Sequence, residues 1–261
     1  MTTLERHNQR EIDRLNQRGG RMLSLVDLLE AGTVGLDMAA HIAGIAARGG
    51  SFLTAAGPGG VGKTTLMGAV LAFLPPGTAI VPVDSSRTLD RLPPPSVREP
   101  RCLVVHEIGN GSYDGYLWGS AVGRYAEAAR PAGRCLASNL HAETYQEATR
   151  QLRGLDVTAE ALAAIDCLAF MAVAGGKRRV TTVWIADGAG SHRCAWRWDA
   201  GTDTFEPTAD PANTRADEAV IALRRFLAAA QASGVHRMDA LRRQALGEVF
   251  NVNGSADTGG R

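Results

Sequence analysis

The stretch Gly57-Pro58-Gly59-Gly60-Val61-Gly62-Lys63-Thr64 constrains this chain more than any other. It follows a short apolar run, Ser51 to Ala56, and leads into an uncharged apolar run from about Thr64 to Phe73. It therefore reads as a glycine-rich turn between a strand and a helix. A glycine, four residues and then Gly-Lys-Thr form the Walker A pattern, and the chemistry needs each part. Small residues let successive backbone N–H groups curl around a phosphate, while the helix after them points its positive end at it. Lys63 supplies a mobile ammonium between the β- and γ-phosphates, and the Thr64 hydroxyl reaches Mg²⁺. Gly57 to Thr65 is thus the expected phosphate cradle: Gly57, Pro58, Gly59, Gly60, Val61, Gly62, Lys63, Thr64 and Thr65.

The grammar around this turn predicts an α/β fold. Thr78 to Val83, Arg101 to His106 and Arg134 to Ser138 read as strands, separated by helical patterns at Leu117 to Ala129 and Glu143 to Arg153. Alternating strands and helices imply a mostly parallel sheet covered on both faces. After Ile165 the pattern changes: Asp166 to Val173, Arg178 to Ala186 and Arg193 to Trp198 follow one another closely, with Gly175-Gly176 and Gly188 to Gly190 as turns. They predict an antiparallel extension. Before the core, Leu23 to Leu29 and Leu36 to Arg48 carry apolar residues at helical spacing. Thr3 to Arg18 is polar and charged and reads as an exposed helix, a solvated face or docking arm. Two Ala-rich helices are expected at Ala216 to Ala232 and Arg237 to Phe250. The expected organisation is a helical segment over 1–50, a core with its extension over 51–200, helices over 201–250 and a disordered tail over 251–261.

Parallel α/β sheets collect ligands at the carboxyl ends of their strands. Three residues stand there. Glu107 ends Cys102-Leu103-Val104-Val105-His106 and suits a carboxylate that holds Mg²⁺ or its water. Asp84 ends Ile80-Val81-Pro82-Val83, where a catalytic role and capping of the Ser85-Ser86 loop are equally open. His141 follows Ser138-Asn139-Leu140, where an imidazole can donate to a γ-phosphate or orient water. His106 reads as a packed neighbour.

Composition removes other classes. Twenty-eight Lys plus Arg against 27 Asp plus Glu leave a net charge of +1, which argues against a protein that coats nucleic acid. Arg224-Arg225 and Arg242-Arg243 permit local nucleic-acid contact, and solvated helix faces explain them equally. Cys102, Cys135, Cys167 and Cys194 are widely spaced, as suits reduced thiols in the cytoplasm. The uncharged stretch Thr64 to Val83 is interrupted by Pro75-Pro76-Gly77, which would break a membrane-spanning helix. Only two cations are lysines, Lys63 and Lys177. The first is placed where a compact ammonium is needed; the second, in the Gly175-Gly176 turn, has no expected duty.

Taken in order, four blocks resemble the secretion ATPase superfamily, which drives type II secretion, type IV and tight-adherence pili, archaeal flagella and conjugative type IV systems. Gly57 to Leu66 with Phe73 to Val81 looks like its P-loop helix and Asp-box strand, with Asp84 on the box aspartate. Val105-His106-Glu107-Ile108-Gly109 is similar to its Walker B. Ala137 to Glu143 resembles its His box, with His141 on the histidine. Ala164-Ile165-Asp166 through Arg178-Arg179-Val180 looks like its closing strand pair. The resemblance implies a RecA-like P-loop NTPase that uses ATP and Mg²⁺. Catalysis would rest on Lys63, Glu107, His141 and Asp84, with Thr64 and Glu107 at the metal. It also implies a hexameric assembly, membrane platform proteins of a secretion or pilus machine as partners, and a cytoplasmic place, peripheral at the inner face of the membrane. The chain departs from the family at Val83, where a glutamate is usual, at Gly109, where an arginine is usual, and in a shortened segment between Asp84 and Glu107. The departures support an alternative, a nucleotide-binding switch or assembly factor with weak hydrolysis.

Overall fold

The computed structural model of the chain describes residues 2–16, 19–57, 59–111, 115–208 and 218–250. The expected tail over 251–261, the start of the helix expected from Ala216, and Pro58 lie outside the described residues.

Among the described residues nine strands form one sheet. Those from the first half are β1 (Phe52–Ala55), β2 (Ala79–Pro82), β3 (Arg101–Ile108), the short β4 (Tyr116–Leu117) and β5 (Arg134–Leu140). They are followed by β6 (Cys167–Ala174), β7 (Lys177–Ala186), β8 (His192–Asp199) and β9 (Thr204–Pro207). The spatial order is β2-β3-β5-β1-β6-β7-β8-β9, with β4 beside β3. Pairings from β2 to β6 are parallel, and those from β6 to β9 antiparallel. The expected parallel sheet with an antiparallel extension is therefore present.

Alternation along each strand divides the core between two faces. On one face Phe52, Cys102, Cys135 and Cys167 meet α1 (Thr3–Arg14), α2 (Leu25–Glu30), α3 (Leu36–Ala47), α4 (Lys63–Leu71), α9 (Glu218–Ala232) and α10 (Met238–Glu248). On the other, Leu53, Leu103, Leu136 and Leu168 meet α5 (Ser86–Asp90), α6 (Ser120–Ala129), α7 (Tyr145–Arg153) and α8 (Ala159–Ala163). All four cysteines are free thiols. Among the described residues no helix is long and apolar enough to cross a membrane.

The largest departure from expectation is α1. It is not an exposed arm: Glu5, Asn8, Glu11 and Ile12 are buried. β2 is the outer strand of the parallel half, and its free edge would leave backbone groups unpaired. Asn8 satisfies that edge with its side-chain amide, donating to Thr78 O at 2.8 Å and accepting from Ile80 N at 2.9 Å. His7 Nε2 reaches Ile80 O at 2.9 Å. Arg242, expected on a solvated face, is also buried, with its guanidinium forked onto Glu5 at 3.0 and 3.1 Å. Polar residues on α1 thus face inward because their partners there are polar. A smaller difference is at α6, which starts at Ser120 rather than Leu117, after Gly119 in the left-handed region (φ 66°).

Candidate functional site

β5 stands between β1 and β3, and this order assembles the site. The turn leaving β1 carries Lys63 on the first residue of α4, β3 carries Glu107, and the chain leaving β5 carries His141. The strand between the other two therefore delivers the middle residue. Lys63 and Glu107 are buried, and their Nζ and Oε2 atoms lie 3.5 Å apart. His141 Nε2 is 2.6 Å from Glu107 Oε1, and its Nδ1 is 3.1 Å from Lys63 Nζ and 2.8 Å from Gly57 O. Burial pushes the Lys63 ammonium below its ordinary pKa, and the neighbouring Glu107 carboxylate offsets part of that shift.

The turn itself needs glycine at one point above all. Gly62 caps α4 with φ +112°, a conformation that side-chain-bearing residues rarely adopt, and so allows the chain to enter the helix at Lys63. Val61 is buried in the core and anchors the turn from behind.

One residue that holds the site was only part of a motif in the sequence. Asn139, fully buried on β5, donates to Thr64 Oγ1 at 3.0 Å and to His106 O at 2.6 Å, and accepts from Thr54 Oγ1. Thr54 Oγ1 in turn reaches Lys63 O at 3.2 Å. A single amide thereby ties the P-loop, β1 and β3 together. The signal was its place two residues before His141, on a strand that reads as wholly buried. His106 stacks on Tyr116 with ring centres 6.0 Å apart, and burial lowers its pKa.

These groups open onto a cleft of about 590 Å³ lined by Gly59, Gly60, Gly62, Lys63, Thr64, Thr65, His106, Glu107, Tyr116 and His141. Apolar side chains also line it, Leu15, Met22, Leu23 and Leu28 from the N-terminal segment and Met171 from β6. Lys177 and Arg178 complete the lining, so the second lysine faces the same cleft as the first. A larger cavity, about 750 Å³, lies between α1 and the start of α10 and does not include the P-loop.

Asp84 is not brought to this cleft. It follows β2, beyond β3 from the P-loop strand, and is exposed. Its carboxylate accepts from Thr88 Oγ1 at 2.6 Å and Ser85 Oγ at 3.0 Å, and these hydroxyls hold its pKa below the usual range. Arg87, Arg91, Arg98 and Arg101 do not line the cleft either; Arg101 pairs with Glu99 at 3.2 Å. Among the described residues no cluster of three or more His, Cys, Asp or Glu side chains could hold a metal alone.

No protein-family model matches the chain, and no curated protein matches it. Among solved structures it is similar to the VirB11 ATPase of the Brucella suis type IV secretion system, in complex with sulphate. The identity is 17%, the TM-score 0.40, and the match covers 70% of this chain and 62% of that one. The chain thus spans less than two thirds of that protein's length.

Proposed function

We propose that this chain is a Mg²⁺-dependent ATP hydrolase of RecA-like P-loop type, coupling phosphate state to movement in a secretion or pilus machine. The observation that carries the proposal is the convergence of Lys63, Glu107 and His141 behind a glycine turn that opens onto a cleft. A buried ammonium with one carboxylate at 3.5 Å and an imidazole nitrogen at 3.1 Å is incompletely neutralised, and a phosphate oxygen is the acceptor that suits it. Thr64 Oγ1 accepts from Asn139 and keeps a lone pair for a cation. Thr64 and Glu107 are the residues that would hold Mg²⁺, with phosphate and water oxygens completing its shell, as that ion prefers. The metal supplies charge neutralisation when bound.

In this reading Lys63 stabilises charge developing on the γ-phosphate and Glu107 orients the attacking water. His141, which touches both, registers loss of the phosphate. Rate enhancement comes from positioning and electrostatics, with no covalent intermediate. The secretion role, a hexameric state and membrane platform partners rest on the resemblance of the four sequence blocks.

A second reading, a nucleotide switch with weak hydrolysis, is favoured by one observation. Among the described residues lining the cleft Glu107 is the only carboxylate, and it is engaged by both Lys63 and His141. Steady-state turnover of ATP by the wild type, Lys63→Ala and Glu107→Gln separates the two. A hydrolase loses about 10²–10⁴-fold in either variant. Wild-type turnover no faster than that of Lys63→Ala would sink the motor reading, and MgATP binding without turnover would leave the switch.

A further inference from the structure

We propose that the tip of the β6–β7 hairpin is a second phosphate-binding element. In it Arg178, with Lys177 beside it, clamps the polyphosphate tail of the nucleotide from the flank of the P-loop away from Glu107 and His141. The proposal rests on nucleotide binding at the P-loop, and goes beyond it in assigning a ligand contact to residues outside the Walker motifs.

Topology brings the hairpin to this place. β6 runs parallel to β1 on the side opposite β5, so its carboxyl end lies at the same sheet edge as the P-loop. The two strands pair only as far as Ala55 with Phe170. β6 then continues through Met171 to Ala174, about 13 Å beyond the end of the pairing. The chain reverses in two residues, Gly175 and Gly176, both with positive φ (55° and 78°), and Ala174 pairs with Lys177. Such a turn requires left-handed backbone at both positions, which glycine supplies. It leaves Lys177 and Arg178 at the very tip.

A register shift at Phe170/Met171 leaves Thr181 unpaired across from β6, where the hairpin leaves the sheet. Bulges of this kind re-aim the side chains beyond them. From that point the two adjacent arginines take different sides. Arg179 is buried and forks onto Asp203 at 2.9 and 2.8 Å, holding that carboxyl down to about 2. Arg178 turns to the P-loop, where Nε and Nη2 both lie 3.3 Å from Gly60 O. A methyl group added to Gly62 would lie 3.2 Å from its Cδ.

Arg178 is exposed, and no carboxylate pairs with it among the described residues. Its only hydrogen-bond acceptor there is the neutral Gly60 carbonyl. A guanidinium fork binds phosphate oxygens more strongly than a neutral carbonyl, and in matching geometry. Among the described residues the cations lining the cleft are Lys63, Lys177 and Arg178, against one carboxylate, Glu107. That imbalance suits a ligand carrying several negative charges. Arginines of the short segment between Asp84 and Glu107 do not line the cleft, so among the described residues the hairpin supplies the additional positive charge.

Equilibrium binding of ATP, ADP and AMP, read by displacement of a fluorescent ATP analogue from wild type, Arg178→Ala and Arg178→Lys, tests the clamp. Arg178→Ala should weaken ATP about tenfold, ADP less and AMP hardly at all, and Arg178→Lys should recover most of the loss. Any turnover should show the change in KM, with kcat within about twofold. Equal losses for all three nucleotides with no recovery in Arg178→Lys would mean that the side chain merely props the P-loop, and would overturn the proposal. Unchanged ATP affinity in Arg178→Ala would overturn it too, while the P-loop reading survived. Wild type that binds ATP no better than Lys63→Ala would instead defeat the P-loop reading, and the clamp with it.

Discussion

α4, the helix after the glycine turn, has a buried cation–carboxylate pair at each end, and the two are built differently. At its carboxyl end Arg242 uses four of its five N–H donors: two in the fork on Glu5, one on Ala72 O at 3.1 Å and one on Leu74 O at 2.5 Å. Its guanidinium also lies over the Phe250 ring, 5.5 Å from the centre. A cation suits this end, because the helix dipole is negative there. At the amino end Lys63 sits where the dipole is positive and an anion is wanted. It has Glu107 at 3.5 Å and His141 at 3.1 Å, and burial weakens its hold on its proton. One pair is complete as folded; in the proposed reading the other is completed by an anion. Burial and charge are the same at both ends, so satisfaction of the buried groups is what separates a structural pair from a binding one.

Removing a partner from each pair tests that distinction. Arg242→Ala strands Glu5 in the interior and uncovers two carbonyls at the end of α4. It should cost about 3–5 kcal/mol, read as a lower Tm, with ATP affinity of the folded fraction unchanged. Arg242→Ala as stable as wild type would erase the contrast. Lys63→Ala should do the reverse: at least about 100-fold loss of ATP affinity, with stability changed by less than about 1 kcal/mol, since Glu107 keeps His141 at 2.6 Å.

The pH dependence of stability adds a signature. The folded Lys63 has a pKa below the ordinary 10.5, so between its lowered value and 10.5 the unfolded chain binds more protons. Stability from this group therefore rises with pH through that window, and the cost of the buried ammonium is constant below it. Urea titrations at stepped alkaline pH should show the rise in wild type and its loss in Lys63→Ala.

The amino end of α4 was legible in the sequence and the carboxyl end was not, for a physical reason. A phosphate cradle is contiguous: its glycines, lysine and threonine must be neighbours, and the strand-end Glu107 and His141 follow from a parallel sheet. The Glu5–Arg242 pair joins residues 237 positions apart. Polar residues are read as exposed unless a partner is known, so Glu5, Asn8 and Glu11 gave α1 the pattern of a solvated arm. Arg178 was hidden in the same way: a basic residue in a Gly-Gly turn signals solvent, and only the pairing of β6 with β1 carries it to Gly60, 118 positions away. The elements missed outright, β4, α5, α8 and β9, span two, five, five and four residues, too short for a periodic pattern to emerge.

The smallest effect belongs to the carboxylate that motif order places at the chemistry and the fold places elsewhere. Asp84 accepts from the Thr88 and Ser85 hydroxyls beside the start of α5, and it does not line the cleft. Its lowered pKa means that the folded state binds fewer protons than the unfolded one in the acid range. The stability it contributes is therefore present above the ordinary carboxylate value and is lost as pH falls through the lowered one. Asp84→Ala should cost about 0.5 kcal/mol at neutral pH, less at acid pH, and leave turnover within about twofold. A tenfold drop in turnover with unchanged Tm would put Asp84 in the reaction. The cleft would then have to close around β2 when nucleotide binds, and the contrast between the two ends of α4 would describe only the empty protein.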